Sequence, residues 1–112
     1  METDLNHCTF TGVLERDPVV TFADHGTQQV SFTLRIDEAG PSGQLFKLCV
    51  PCEAYGQAGE QAGELHASAA VLIAGKLQWT SWTDKHGQKR TSLCVLARLV
   101  KRLAPAAVAA AV

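Results

Sequence analysis

Polar and apolar side chains alternate along residues 5–14 (LNHCTFTGVL), setting Leu5, Thr9, Thr11 and Val13 on one side of an extended chain and Cys8, Phe10 and Leu14 on the other. ERDP ends this strand, because Pro18 has no N–H to give a ladder. VVTFA then reads as a short strand and DHGTQ as a turn, after which QVSFTLRI alternates again with Val30, Phe32, Leu34 and Ile36 on one face. The loop DEAGPSG sends the chain back through LFKLCV, which is apolar on both faces, as buried strands are.

Residues 53–66 (EAYGQAGEQAGELH) change the pattern. They are poor in β-branched side chains and rich in Ala, Glu and Gln, which predicts a short helix frayed by three glycines at about 1 kcal/mol each relative to alanine. AAVLIAGKLQWTSWT and KRTSLCVLARLV follow as two long strands around DKHG, the clearest hairpin of the chain. Alternation in the first of them predicts a core face of Val71, Ile73, Gly75, Leu77 and Trp79, with Leu72, Ala74, Lys76, Gln78, Thr80 and Trp82 opposite. Apart from the short VVTFA, three strands, a helix and two strands describe an all-β domain, a five-stranded antiparallel OB-fold barrel with one short helix between strands 3 and 4. Consecutive hairpins exclude a doubly wound parallel sheet, which needs helices between most strands. The barrel is assigned to residues 1–104; residues 105–112 form a short Ala-rich tail, either loose or packed on the domain.

Composition narrows the class. The 112 residues suffice for one domain, 46% of them are hydrophobic, and no apolar run nears the roughly 18 residues of a membrane span. The acidic, polar start METDLNHC has neither the basic nor the apolar region of a secretion signal, so a cytoplasmic location away from membranes is expected. A net charge of −1 argues against a generally basic nucleic-acid binder, yet the charge is lopsided: −7 over residues 1–64 and +6 over residues 65–112.

The chemistry-bearing side chains sharpen this. Trp79 and Trp82, three apart on one strand, point to opposite sides; Trp79 extends the core row, whereas Trp82 shares its side with Lys76 and lies close to Lys85, Lys89 and Arg90. An indole among cations is suited to stacking on a nucleobase while the cations meet phosphate, although a rim tryptophan at a barrel end or subunit contact has the same pattern. CVPC at 49–52 has the spacing of a thiol–disulfide centre, but that chemistry needs a βαβ setting absent from this order of elements. Cys8, Cys49, Cys52 and Cys94 read instead as small buried strand residues of a reducing compartment. His7, His25, His66 and His86 are too scattered for zinc, and no nucleophile elbow, P-loop or carboxylate pair is present, so neither a metal, a cofactor nor a catalytic activity is expected.

Four stretches resemble the bacterial single-stranded DNA-binding protein family: N-x-C-x-F-x-G-x-L-x-x-D-P at 6–18, SFTL at 31–34, C-x-A-Y-G-Q-A-G-E at 52–60 and G-K-L-x-W-x-S-W-T-D-K-x-G-Q-K-R-T at 75–91. The resemblance runs over about residues 5–103. It implies an OB-fold that binds single-stranded DNA with little sequence preference, as a homotetramer or other homo-oligomer, in replication, recombination or repair. By position it implies stacking by Trp82, Tyr55 and Phe46, with Phe46 equally suited to a core. Lys76, Lys85, Lys89, Arg90 and Lys47 would meet phosphates. Two departures stand out. RIDEAGPSG carries no ring where many members have one, and Thr80 and Ser81 occupy positions that are often basic, so a weaker grip and smaller footprint are expected. The chain also ends at AAVAAAV without the linker and acidic tip through which members recruit replication and repair proteins. That leaves open a short relative such as primosomal replication protein N, a dimer of replication restart, a plasmid- or phage-borne variant, or an OB-fold protein-interaction module.

Overall fold

The computed structural model describes residues 4–22 and 24–103; the Ala-rich tail lies outside the described residues. Six strands and one α-helix follow in the order β1 (Cys8–Leu14), β2 (Val19–Phe22), β3 (Gln28–Ala39), β4 (Leu45–Tyr55), α1 (Gly56–Gly63), β5 (Ala70–Thr83) and β6 (Lys89–Arg102), with a single 3-10 turn at Asp24–Gly26. The hydrogen-bonded order β1-β5-β6-β4-β3 returns on itself where Val13 and Leu14 of β1 pair with Arg35 and Leu34 of β3. Five strands therefore close a barrel, and the four-residue β2 adds to the outer edge of β3. The expected OB-fold, with its helix between the third and fourth barrel strands, is what the chain adopts. One pairing differs from the antiparallel expectation: β4 and β6 run parallel over Cys52–Ala54 and Val95–Ala97. β5 runs opposite to β6 and so opposite to β4; two reversals of direction after β4 leave β6 running the same way as β4.

The core is filled by the row that alternation picks out. Leu14, Val30, Phe32, Leu34, Cys52, Ala54, Val71, Ile73, Val95, Ala97 and Val100 are buried, and Ala58, Ala62 and Leu65 from the helical segment plug one end. Among the described residues no charged or polar side chain is buried with them. At Gly75 the absent side chain is itself part of the packing, because an added Cβ would fall on the carbonyl of Leu96. β6 bulges at this point: Ala74 pairs with Leu99 but Gly75 with Ala97, so Arg98 is left without an opposite number.

Beyond the barrel both long hairpins continue as two-stranded ribbons. β4 touches β6 only at Val95–Ala97, so the pairs from Trp79–Leu93 outward to Thr83–Lys89 have no third strand. The outer end of the β3–β4 hairpin, Asp37–Ala39 against Leu45–Lys47, is likewise only two strands wide. Two expectations fail for this reason. Trp79 and Leu77 are not core, since the face they extend runs off the barrel, and Trp79 is 69% exposed. LFKLCV is not a buried strand; its first five residues are exposed and only Val50 reaches the core. Both ribbons turn by the same device, a Gly in the left-handed region (Gly43, φ 84°; Gly87, φ 79°) whose N–H bonds back three residues to the carbonyl of Gly40 or Asp84.

Midway along β5, just beyond its pairing with Cys8, the Asn6 carboxamide does the work of a strand residue. It donates to the Leu77 carbonyl at 2.9 Å and accepts from the Leu77 N–H at 3.0 Å, which extends the β1–β5 ladder past the point where β1 begins. The strand expected from Leu5 therefore starts at Cys8, with Leu5 itself exposed.

Candidate nucleic-acid interface

The registers of β4, β6 and β5 gather one outward face from three strands. Glu53 of β4 lies opposite Leu96 of β6, which lies opposite Lys76 of β5; the next pairs along β5 and β6 are Gln78–Cys94, Thr80–Ser92 and Trp82–Arg90. Tyr55, two residues on from Glu53, ends β4 and precedes the first turn of α1 without a side-chain cap. Tyr55, Lys76, Arg90 and Trp82 thus share a face by strand alternation. Tyr55 is 40% and Trp82 48% exposed, so both residues are reachable from solvent.

Hydrogen bonds fix the middle of this face. Glu53 Oε2 accepts from the Tyr55 hydroxyl at 3.0 Å and from Gln78 Nε2 at 3.4 Å, and Gln78 Nε2 also lies 3.6 Å from Cys94 Sγ. Partial burial, and then the adjacent Glu53 carboxylate, raise the Tyr55 phenol above its ordinary range, so it remains a donor. An open groove of about 310 Å³ runs beside these residues, lined by Ser31 and Thr33 of β3, Pro51 and Glu53 of β4, Thr80 of β5 and Arg16 and Asp17 of the loop before β2. A second cleft of about 340 Å³ lies between Tyr55, Gln57 and Ala58 and the β6 residues Leu96, Ala97 and Arg98.

The remaining site candidates are distributed over the two ribbons. Lys85 sits in the tip of the β5–β6 ribbon, and Lys89, opposite Thr83, is on the face away from Trp82. Arg90 donates from Nε to Asp84 Oδ2 at 2.9 Å, and Asp84 also accepts the N–H groups of His86 and Gln88 through Oδ1. The guanidinium of Arg90, with those backbone donors, holds the Asp84 carboxyl below its usual value. Arg90 therefore braces the hairpin tip and presents only its outer side to a ligand. Lys47 stands opposite Asp37 on the β3–β4 ribbon, on the same side of β4 as Tyr55. Phe46, opposite Glu38, falls on the other side of that ribbon, where its half-exposed ring lies against Gly40.

Several side chains on this face gave no signal in the sequence. Glu53 carried no sign that it would sit between the Tyr55 ring and a groove. Arg98 lay within an apolar strand run; it follows Leu96 on the outward side of β6 and lines the cleft beside Tyr55. Arg16 stood in a turn.

The cysteines depart from their expected uniform burial. Cys52 and Cys94 are buried, Cys8 partly so, and Cys49 is exposed; all four are free thiols. CVPC lies within strand β4, and burial pushes the Cys52 thiol up to about 12, the reverse of the shift that activates a redox thiol. Burial also raises Cys94. Among the described residues no three His, Cys, Asp or Glu side chains gather as a metal site, and no helix is long and apolar enough to cross a membrane.

Comparison with known proteins agrees with this geometry. Residues 5–103 match the single-strand binding protein family. The chain is 28% identical over 98 residues to a Thermus thermophilus protein, 28% over 99 residues to one from Thermus aquaticus, and 29% over 108 residues to one from Deinococcus radiodurans. Each is named single-stranded DNA-binding protein. The matches cover 88%, 88% and 93% of this chain but only 37%, 38% and 36% of the relatives, so the chain spans little more than a third of their length.

Proposed function

The chain belongs to the single-strand binding protein family, and on that premise we propose that it sequesters single-stranded DNA by stacking bases on Tyr55 and Trp82 while cations hold the phosphates. The observation that carries this reading is the shared face: two solvent-reachable rings, one from β4 and one from β5, with Lys76 on the same side of β5 as Trp82 and a polar groove alongside. Every base has a flat face, so stacking binds without reading sequence. Lys76, Lys47 and Lys85 supply phosphate contacts, with Lys89 reaching around the ribbon edge and Arg90 contributing its outer side. Phe46, on the far side of the β3–β4 ribbon, stacks only on a strand that wraps over that ribbon. No step of this binding requires a cofactor or a covalent reaction. Sequestration of this kind serves replication, recombination and repair in a cytoplasmic setting.

A second surface supports self-association. Leu77, Trp79 and Leu93 make an exposed apolar row on the side of the β5–β6 ribbon away from Trp82, and a homo-oligomer, dimer or tetramer, would cover it. The OB-fold protein-interaction reading therefore applies to this face and nucleic acid to the other.

Titration with oligo-dT tests the assignment. Tryptophan fluorescence is expected to quench on binding. Each phosphate contact on a single strand contributes about −0.7 to the slope of log K against log salt, so three or four contacts give a slope of roughly −2 to −3. Absence of any response at low salt removes DNA from the shared face and leaves the interaction reading.

A further inference from the structure

A strand passing between Tyr55 and Trp82 crosses the Glu53 carboxylate, and phosphate attraction alone gives no reason for an anion there. Glu53 and Tyr55 are two residues apart on one strand face, about 6.6 Å along the chain, so a base lying on the Tyr55 ring turns an edge toward the carboxylate. That carboxylate is held in place: its Oε2 accepts from the Tyr55 hydroxyl at 3.0 Å and from Gln78 Nε2 at 3.4 Å. An ionised carboxylate only accepts and has about four lone-pair sites, so two donors leave capacity directed at the adjoining groove. Arg16 and Asp17 also line the groove, but Asp17 Oδ1 is taken by the Ala67 N–H at 2.8 Å, and it is Glu53 that is bonded to the Tyr55 hydroxyl. Pro51 offers no donor there, Ser31, Thr33 and Thr80 are adaptable hydroxyls, and the Cys52 and Cys94 thiols of the floor stay neutral because burial raises them.

We propose that Glu53 makes the site discriminate among bases, favouring those with an exocyclic amino group, cytosine foremost, over uracil and thymine. The proposal rests on the single-stranded DNA reading above and adds to it a specificity-determining residue. Cytosine presents its N4 amino group as a donor where uracil and thymine present O4, whose lone pairs face those of the carboxylate. The same negative charge opposes phosphate, so a base that gives Glu53 no proton meets only its repulsion. The face is therefore tolerant of sequence through its rings and selective at one position through this acceptor.

The test compares oligo-dC with oligo-dU of one length, which differ only at the pyrimidine edge, in competition for the wild-type protein and for Glu53→Gln at fixed salt and pH 8. Glutamine keeps the shape and a partner for Tyr55 but offers a donor as well as an acceptor. The ratio Kd(dU)/Kd(dC) is expected to fall by about fivefold or more in the variant, the lower end of what one base-edge contact discriminates. Differences in intrinsic stacking between the two pyrimidines cancel in that comparison. Glu53→Ala is expected to lower the ratio in the same way, and thermal melting of both variants confirms that each is folded. An unchanged ratio with tight dU binding overturns the proposal and leaves the DNA reading standing. Equal weakening toward both oligomers makes Glu53 only a support for Tyr55 and overturns it too. Failure of the wild-type protein to bind either oligomer at low salt overturns both readings.

Discussion

Replacing Trp82 by alanine is expected to weaken binding to oligo-dT by about 1 to 3 kcal/mol while leaving the salt dependence nearly unchanged. The ring is half exposed, stands at the outer end of the face that holds Tyr55 and Lys76, and is paired across the ribbon with Arg90 rather than packed into the barrel. Removing it deletes a stacking surface and no charge, so affinity falls by roughly 5- to 150-fold without altering the number of counterions released. Trp79→Ala is the control. It sits three residues earlier on the opposite side of the same strand, so oligonucleotide affinity should hold and only self-association should suffer. Equilibrium titrations of both variants at several salt concentrations separate the two roles, and an affinity for oligo-dT unmoved by the Trp82 change would take that residue out of the site.

Gly75→Ala acts on the fold itself, with an expected loss of about 2 to 4 kcal/mol in unfolding free energy. The new Cβ would collide with the Leu96 carbonyl oxygen, lie 2.9 Å from that residue's carbonyl carbon and 3.1 Å from the Ala97 Cα. All three are backbone atoms of the strand that β5 must pair with, so no side-chain rotation relieves the clash. Alanine also narrows the unfolded ensemble, which offsets several tenths of a kcal/mol. At roughly 4 to 8 °C per kcal/mol for a domain of this size, the melting temperature should drop by about 10 to 25 °C, as thermal denaturation followed by circular dichroism would read. A variant melting with the wild type would show that β6 can shift at its bulge at little cost.

The two substitutions also mark what could be read from the chain. Strand order, helix position and both Gly-bearing turns were legible because each depends on local periodicity or on a backbone conformation that only certain residues adopt. The inner row Val71, Ile73 and Gly75 was legible for the same reason. Leu77 and Trp79 continue that row without a break in pattern, but the barrel ends beneath them, and where a third strand stops is not encoded in the alternation of the strand that outlasts it. LFKLCV misled in the same manner. Of the site candidates, Tyr55 and Trp82 carried a signal as aromatic residues within recognisable stretches. Glu53 and Arg98 carried none, since both acquire their neighbours through a parallel pairing between distant strands. The order of elements was enough to set thiol–disulfide chemistry at CVPC aside, but the burial expected of all four cysteines was not, since Cys52 lies inside and Cys49, three residues away, outside.

The pairings that close the barrel join segments far apart in the chain: Cys8 and Gly75, partners in the β1–β5 ladder, are separated by 67 residues. The β3–β4 and β5–β6 hairpins can zip early around their tight turns, but neither closes the barrel, and the loop entropy of closure must be met before those distant contacts give anything back. Refolding followed by stopped-flow fluorescence should therefore run in milliseconds to seconds rather than microseconds. Until closure, the ribbons expose the same rings and apolar rows that the finished domain uses, which makes the newly made chain most prone to sticking before its ends have met.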